Sequence, residues 1–210
     1  MHRTGTVRIA ALGLAVVMLG LGSQRAEATP INGALAGLPT PGATITFSEI
    51  VLPVGSPVTN EYAGLGVTFS PNLYYSTAHG TLLNDSPPDL TTFGLSGRVG
   101  AFAINFTSPV SAAAFVFGGD AGTATFSAYS GATPIESFVG NINFGSGFPN
   151  TWFGFTGITF DSISVSVNNG TNAAALDNLQ FNKAVPEPGS LFLLGSGLFG
   201  LGRAWRKRRG

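Results

Sequence analysis

AFAINFTSPVSAAAFVFGGD, residues 101–120, is the stretch from which the fold is read. Phe102, Ile104 and Phe106 alternate with Ala101, Ala103 and Asn105, and beyond Ser108-Pro109 the habit resumes with Ala113, Phe115 and Phe117. A period of two sends successive side chains to opposite faces, the pattern of a half-buried antiparallel strand. The same alternation recurs in Ala124, Phe126 and Ala128 against Thr123, Thr125 and Ser127, and in Ile163, Val165 and Val167 against Ser162, Ser164 and Ser166. Turn signals divide these runs at Ser108-Pro109, Gly118-Gly119-Asp120, Ser130-Gly131, 141–147 and Asn168-Asn169-Gly170. No stretch between Thr29 and Val185 keeps a helical period. The pattern predicts an all-β domain of eight or nine short strands, an antiparallel β-sandwich of jelly-roll type.

Composition agrees with a folded body and excludes much chemistry. Glycine accounts for 30 of 210 residues, about twice the usual share, and charged residues for only 10%. Hydrophobic content is 44% with 17 Phe, enough for a core and unlike a disordered chain. The chain has no cysteine, so disulfides, thiolate metal sites and cysteine nucleophiles are excluded. It has two histidines, one at position 2, so histidine-rich metal sites are excluded as well. The formal net charge of zero hides a segregation: eight of the ten basic residues lie outside the body. Between Thr29 and Val185 two cations, Arg98 and Lys183, face eight acids, a balance of −6. An acidic body argues against nucleic acid as a partner.

The two ends carry separate signals. Arg3 and Arg8 precede a 14-residue apolar and glycine run, Ile9 to Gly22, and Ala26-Glu27-Ala28 supplies the small-x-small pattern read by signal peptidase. The run is shorter than the ~20 residues that span a bilayer, so residues 1–28 read as a cleaved signal helix. At the other end Val185-Pro186-Glu187-Pro188 stops the last strand, because proline lacks an N–H and fixes φ. An uncharged Leu/Gly-rich segment then runs from Gly189 to Gly202, followed by Arg203-Ala204-Trp205-Arg206-Lys207-Arg208-Arg209. By the positive-inside rule these cations hold the end of a C-terminal transmembrane helix in the cytoplasm, with Trp205 suited to the interface.

Pro186, Glu187 and Pro188, the apolar helix and the basic cluster Arg203, Arg206, Lys207, Arg208 and Arg209 resemble, in that order, the PEP-CTERM sorting signal of Gram-negative bacteria. The resemblance implies processing near the motif by an exosortase-type membrane protease. It also implies an address in the cell envelope or extracellular matrix, with a transient anchor in the inner membrane. On this reading the chain divides into a signal peptide, 1–28, a sandwich domain, 29–184, and a sorting signal, 185–210. The body is similar to those of PEP-CTERM surface proteins through Val58-Thr59-Asn60-Glu61-Tyr62, Leu65 to Ser70, and the run from Phe153 to Phe181. Such bodies look like galactose-binding-like or carbohydrate-binding-module sandwiches.

Residues with chemical potential are few. His79 has no Gly-x-Ser-x-Gly elbow to accompany it, so a loop histidine is the default over a triad base. Glycoside hydrolysis asks for two acids across a cleft, whereas Asp85 and Asp89 lie in the run Asn84-Asp85-Ser86-Pro87-Pro88-Asp89 and Asp120 follows two glycines, which reads as solvated turn acids. Calcium takes 6–8 oxygen ligands, which sandwich loops supply. The family resemblance implies a structural calcium between an early acid and an aspartate opening the last strand, and Glu49 and Asp177 occupy those positions. The plain alternative is that Asp177 bonds to backbone. Trp152, Tyr74 and Tyr75, with Tyr62 and Tyr129, are candidates for stacking on sugar rings, Trp152 because it follows a Gly/Asn-rich loop; core packing is the commoner fate of such rings.

The expectation is an exported, non-enzymatic protein binding exopolysaccharide at the cell surface. Two rivals stand beside it, a structural matrix protein without a ligand and a weak glycoside hydrolase using an acidic pair. The exported chain is expected to begin at Thr29. N-terminal sequencing or intact mass that finds Met1 or His2 on exported protein overturns that reading.

Overall fold

The computed structural model describes residues 28–71, 73–78, 88–94, 97–98, 100–144 and 151–184; both expected terminal helices, the sorting motif, its basic tail and His79 lie outside them. Among the described residues no helix is long and apolar enough to cross a membrane. The strands are β1 (Thr29–Ala34), β2 (Ala43–Ile45), β3 (Pro57–Val58), β4 (Val67–Ser70), β5 (Leu73–Ser76), β6 (Asp89–Thr91) and β7 (Phe93–Gly94). They continue with β8 (Gly97–Arg98), β9 (Ala101–Gly119), β10 (Gly122–Ser130), β11 (Thr133–Ile142), β12 (Trp152–Asn168) and β13 (Ala174–Lys183). A 3₁₀ turn, Ala63–Leu65, precedes β4. All pairing is antiparallel, as the alternation predicts.

The expectation of short strands fails at the stretch that gave the fold class. Ser108-Pro109 does not end a strand: β9 runs 19 residues through it, and its partner β12 runs 17. The two form one long ribbon that bends over on itself. Phe102 and Phe117 belong to the same strand, yet their ring centroids are 6.1 Å apart. In a straight strand they would stand about 50 Å apart. The bend sits where the register breaks. Between Thr156↔Ala112 and Phe160↔Val110, β12 uses four steps against two on β9; between Phe160↔Val110 and Ser162↔Asn105, β9 uses five steps against two. Extra residues of this kind kink a strand and carry it from one layer into the other. Gly157, at φ 79°, supplies a left-handed step that other residues rarely take.

One layer holds β4, the first half of β9, the second half of β12, β10 and β11; the other holds β1, the first half of β12, the second half of β9 and β13, extended by β2 and by β6-β5-β3. Phenylalanines fill the space between. Phe126 of β10 stacks on Phe153 of β12 at 4.7 Å and 9°, and meets Phe117 edge-on at 5.6 Å and 85°. Phe106 reaches Phe160 and Phe181 at 5.9 Å and 5.3 Å, closing the core beside the bend. A smaller cluster of Leu38, Ala112, Ala114, Val116, Trp152 and Ala175 lies on the outer face of the second layer.

Close approach of β9 and β12 is enforced at Gly154, where a Cβ would lie 2.0 Å from the Ala113 carbonyl oxygen and 2.7 Å from the Ala114 Cα. Both neighbours are backbone, so the strands must part to admit a methyl group. Gly154→Ala is expected to cost about 1–3 kcal/mol, lowering Tm by several degrees in calorimetry. Gly64→Ala, with nothing within 4 Å, is the control and should leave Tm nearly unchanged.

Candidate functional site

The outer face of the second layer gathers the polar groups that the core excludes. Antiparallel register places Trp152 opposite Val116, Val116 opposite Asp177, and Asp89 opposite Ser76. The pairs Ala175↔Thr91 and Leu176↔Leu90 continue to set Asp177 beside Asp89. The result is one row across five strands, Trp152–Val116–Asp177–Asp89–Ser76, with Tyr74 opposite Thr91 in the next row. Directly opposed residues share a face, and here it is the one opposite Leu90, Leu176 and Tyr75, which point into the core. Ser76, Asp89, Thr91, Thr92 and Asp177 are the buried polar side chains of the described residues, with Asp89 at 0% exposure and Asp177 at 1%.

Local bonds explain how polar groups are held here. Thr91 Oγ1 donates to the Ala174 carbonyl at 3.1 Å. Thr92 Oγ1 donates to the Asn172 carbonyl at 2.6 Å and accepts from the Ala174 amide at 2.9 Å. Asp177 Oδ1 accepts from the Asn178 amide at 2.6 Å, the backbone bond that a turn aspartate would make. Asn178 takes φ 48°, a left-handed conformation that Asn tolerates, and β13 gains one residue over β9 there. That bulge keeps Gln180 on the same face as Asp177. Gln180 Oε1 accepts from the Leu38 amide at 2.8 Å, fastening the 37–38 segment over the Trp152 ring.

The structure thus brings Trp152, Tyr74 and Asp177 to one face and places the other candidates elsewhere. Trp152 opens β12 and is 8% exposed beneath Gly37 and Leu38, so the expectation of an exposed ring at a loop end is corrected. Tyr75 is a core residue, because it alternates with the half-buried Tyr74. Tyr62 is likewise buried, and Tyr129 is half-buried on β10. Glu49 is exposed on the loop after β2, its Oε1 accepting from the Thr46 amide and hydroxyl at 2.9 Å and 3.1 Å. Asp89, read from sequence as a solvated turn acid, instead opens β6 in full burial. The prolines before it masked the short alternation Asp89-Leu90-Thr91, the one signal that pointed to a strand. Asp85 lies outside the described residues. Among the described residues no group of three or more His, Asp or Glu side chains is placed to hold a metal ion.

One titration is clearly displaced. The Tyr62 hydroxyl donates toward the Phe47 and Ile50 carbonyls at 3.0 Å and 3.2 Å. Burial, then the charges of Tyr75, Glu49 and Glu61, push its ionisation well above the ordinary tyrosine range.

Residues 184–209 match the PEP-CTERM protein-sorting motif. The motif implies an exported, envelope-associated protein whose C-terminal segment is processed by an exosortase, a membrane protease. No curated protein and no solved structure matches the chain.

Tyr62→Phe is expected to cost about 1–3 kcal/mol in denaturant unfolding, the penalty for buried carbonyls left without their donor. The pH dependence has a definite sign. The unfolded chain releases the Tyr62 proton near pH 10 while the folded chain keeps it, so this contribution is full below pH 10 and declines above it. The gap between wild type and Tyr62→Phe should therefore narrow above pH 10. A gap constant to pH 11 would contradict the burial of this hydroxyl.

Proposed function

We propose that this is an exported, non-enzymatic protein of a Gram-negative envelope or matrix, delivered by its C-terminal signal and binding exopolysaccharide on a jelly-roll-type sandwich. The observation that carries the delivery is the sorting motif at residues 184–209. Pro186, Glu187 and Pro188 are the segment the protease grips, the apolar helix is a transient anchor, and Arg203 to Arg209 set its orientation. Sugar binding is supported by the outer face of β5, β6 and β13. A half-exposed ring, Tyr74, stands there and offers the apolar platform of a sugar site, while the hydroxyl and carboxylate side chains beside it are buried. Hydrolysis asks for two carboxyl groups facing an open cleft. The acids set side by side here, Asp89 and Asp177, are 0% and 1% exposed, which supports the non-catalytic reading.

Structural calcium is the second reading, favoured by those same acids. The two lie side by side through the register of β6 on β13, and carboxylate oxygens are the ligands that calcium takes. Asp177 keeps its expected place in this reading, and Asp89 takes the part first assigned to Glu49.

Mature protein is expected to bind an immobilised polysaccharide, with Tyr74→Ala weakening it about tenfold, ~1.4 kcal/mol. Binding to no polysaccharide leaves the matrix-protein reading, and release of reducing ends would establish a hydrolase. A Tm unchanged by EDTA removes calcium, since an ion bound only to the native state stabilises it. For delivery, Glu187→Ala should leave the chain anchored and uncut, and surface-recovered wild type still ending at Gly210 would overturn processing.

A further inference from the structure

The first and last strands of the body begin and end at the same edge of the fold. Thr29 pairs with Thr156, Thr156 with Ala112, and Ala112 with Asn182, so β1 starts and β13 finishes in one row. Three strand spacings separate the two points, about 14 Å. The row lies against the bend of the β9/β12 ribbon, where the Ala184 amide donates to the Pro109 carbonyl at 2.9 Å. β1 leads away from this end and β13 returns to it.

The geometry points to this end, carrying Thr29, Ser108, Pro109 and Lys183, as a surface that rests on the lipid headgroups while the precursor is anchored. The inference rests on the sorting reading above. Arg3 and Arg8 on one side, and Arg203 to Arg209 on the other, hold both outer flanks in the cytoplasm, with the body between them across the membrane. Both connections are short. From Ala184 to Ser190, where the apolar helix begins, six steps span at most about 20 Å. From Gly22 to Thr29 seven steps span at most about 25 Å. With the two ends of the body about 14 Å apart in one row, both tethers reach the membrane from the same edge. The body's balance of −6 gives it no attraction for an anionic leaflet, so the tethers alone set the orientation and their removal frees it.

The absence of cysteine makes single-site labelling clean. Ser108→Cys, exposed at the bend, and Ala121→Cys, exposed in the β9–β10 turn about 25 Å away, would each carry a fluorophore in the full chain. The chain is placed in phosphatidylcholine–phosphatidylglycerol vesicles bearing a headgroup quencher. Quenching at position 108 should exceed that at 121 at least threefold, and Lys183→Cys against Asn141→Cys should repeat the result. Equal quenching in chain that floats with the vesicles overturns the orientation and leaves the sorting reading intact. Chain that does not float at all overturns the anchor and the orientation with it.

Discussion

The bend of the β9/β12 ribbon is the constraint on which the molecule depends. Two strands of 19 and 17 residues supply both layers, so the layers are covalently continuous and cannot slide past one another. Folding the ribbon brings Phe102 onto Phe117, and the space it encloses is then filled from the neighbouring strands by Phe126, Phe153, Phe160 and Phe181. Aromatic rings suit such a cavity, since each buries a large area and stacked or edge-on contacts add to burial alone. The bend also sets the ends of the body. Because β1 and β13 flank the ribbon's second layer, Thr29 and Ala184 both come to rest beside the corner.

The outer face of that layer follows from the same pleat. Every residue directed to the core at Leu90, Leu176 and Tyr75 sends its neighbours the other way. Those neighbours are Asp89, Thr91, Ala175, Asp177, Tyr74 and Ser76. Gln180 and the Leu38 amide then hold a loop over part of this face, burying Trp152. Polar groups at such depth are costly unless satisfied, and the threonines meet the cost with backbone bonds to Asn172 and Ala174.

Legibility differed from residue to residue for physical reasons. Alternation around Phe102, Phe126 and Ile163 was readable because a pleated strand imposes its period on the local sequence. Ser108-Pro109 misled because a proline that kinks an exposed part of a strand looks, locally, like one that ends it. Trp152 misled in the opposite direction. A Gly/Asn-rich loop precedes it along the chain, while what buries it, Gly37 and Leu38, lies more than a hundred residues away. Asp89 and Asp177 are 88 positions apart in sequence, and only the register of β6 on β13 makes them neighbours.

The all-β class, the turn positions that separate β9 from β10 and β10 from β11, and the sorting signal are each written in adjacent residues. That two strands cross both layers, that Tyr74 is half-exposed while Tyr75 is core, and that Asp177 lies beside Asp89 rather than Glu49 depends on the folded molecule. It alone placed both ends of the body, Thr29 and Lys183, at one edge. Strand period is a local property of the backbone, but register, bending and burial are settled by which distant strand lies alongside, and that choice is made by packing the whole core at once.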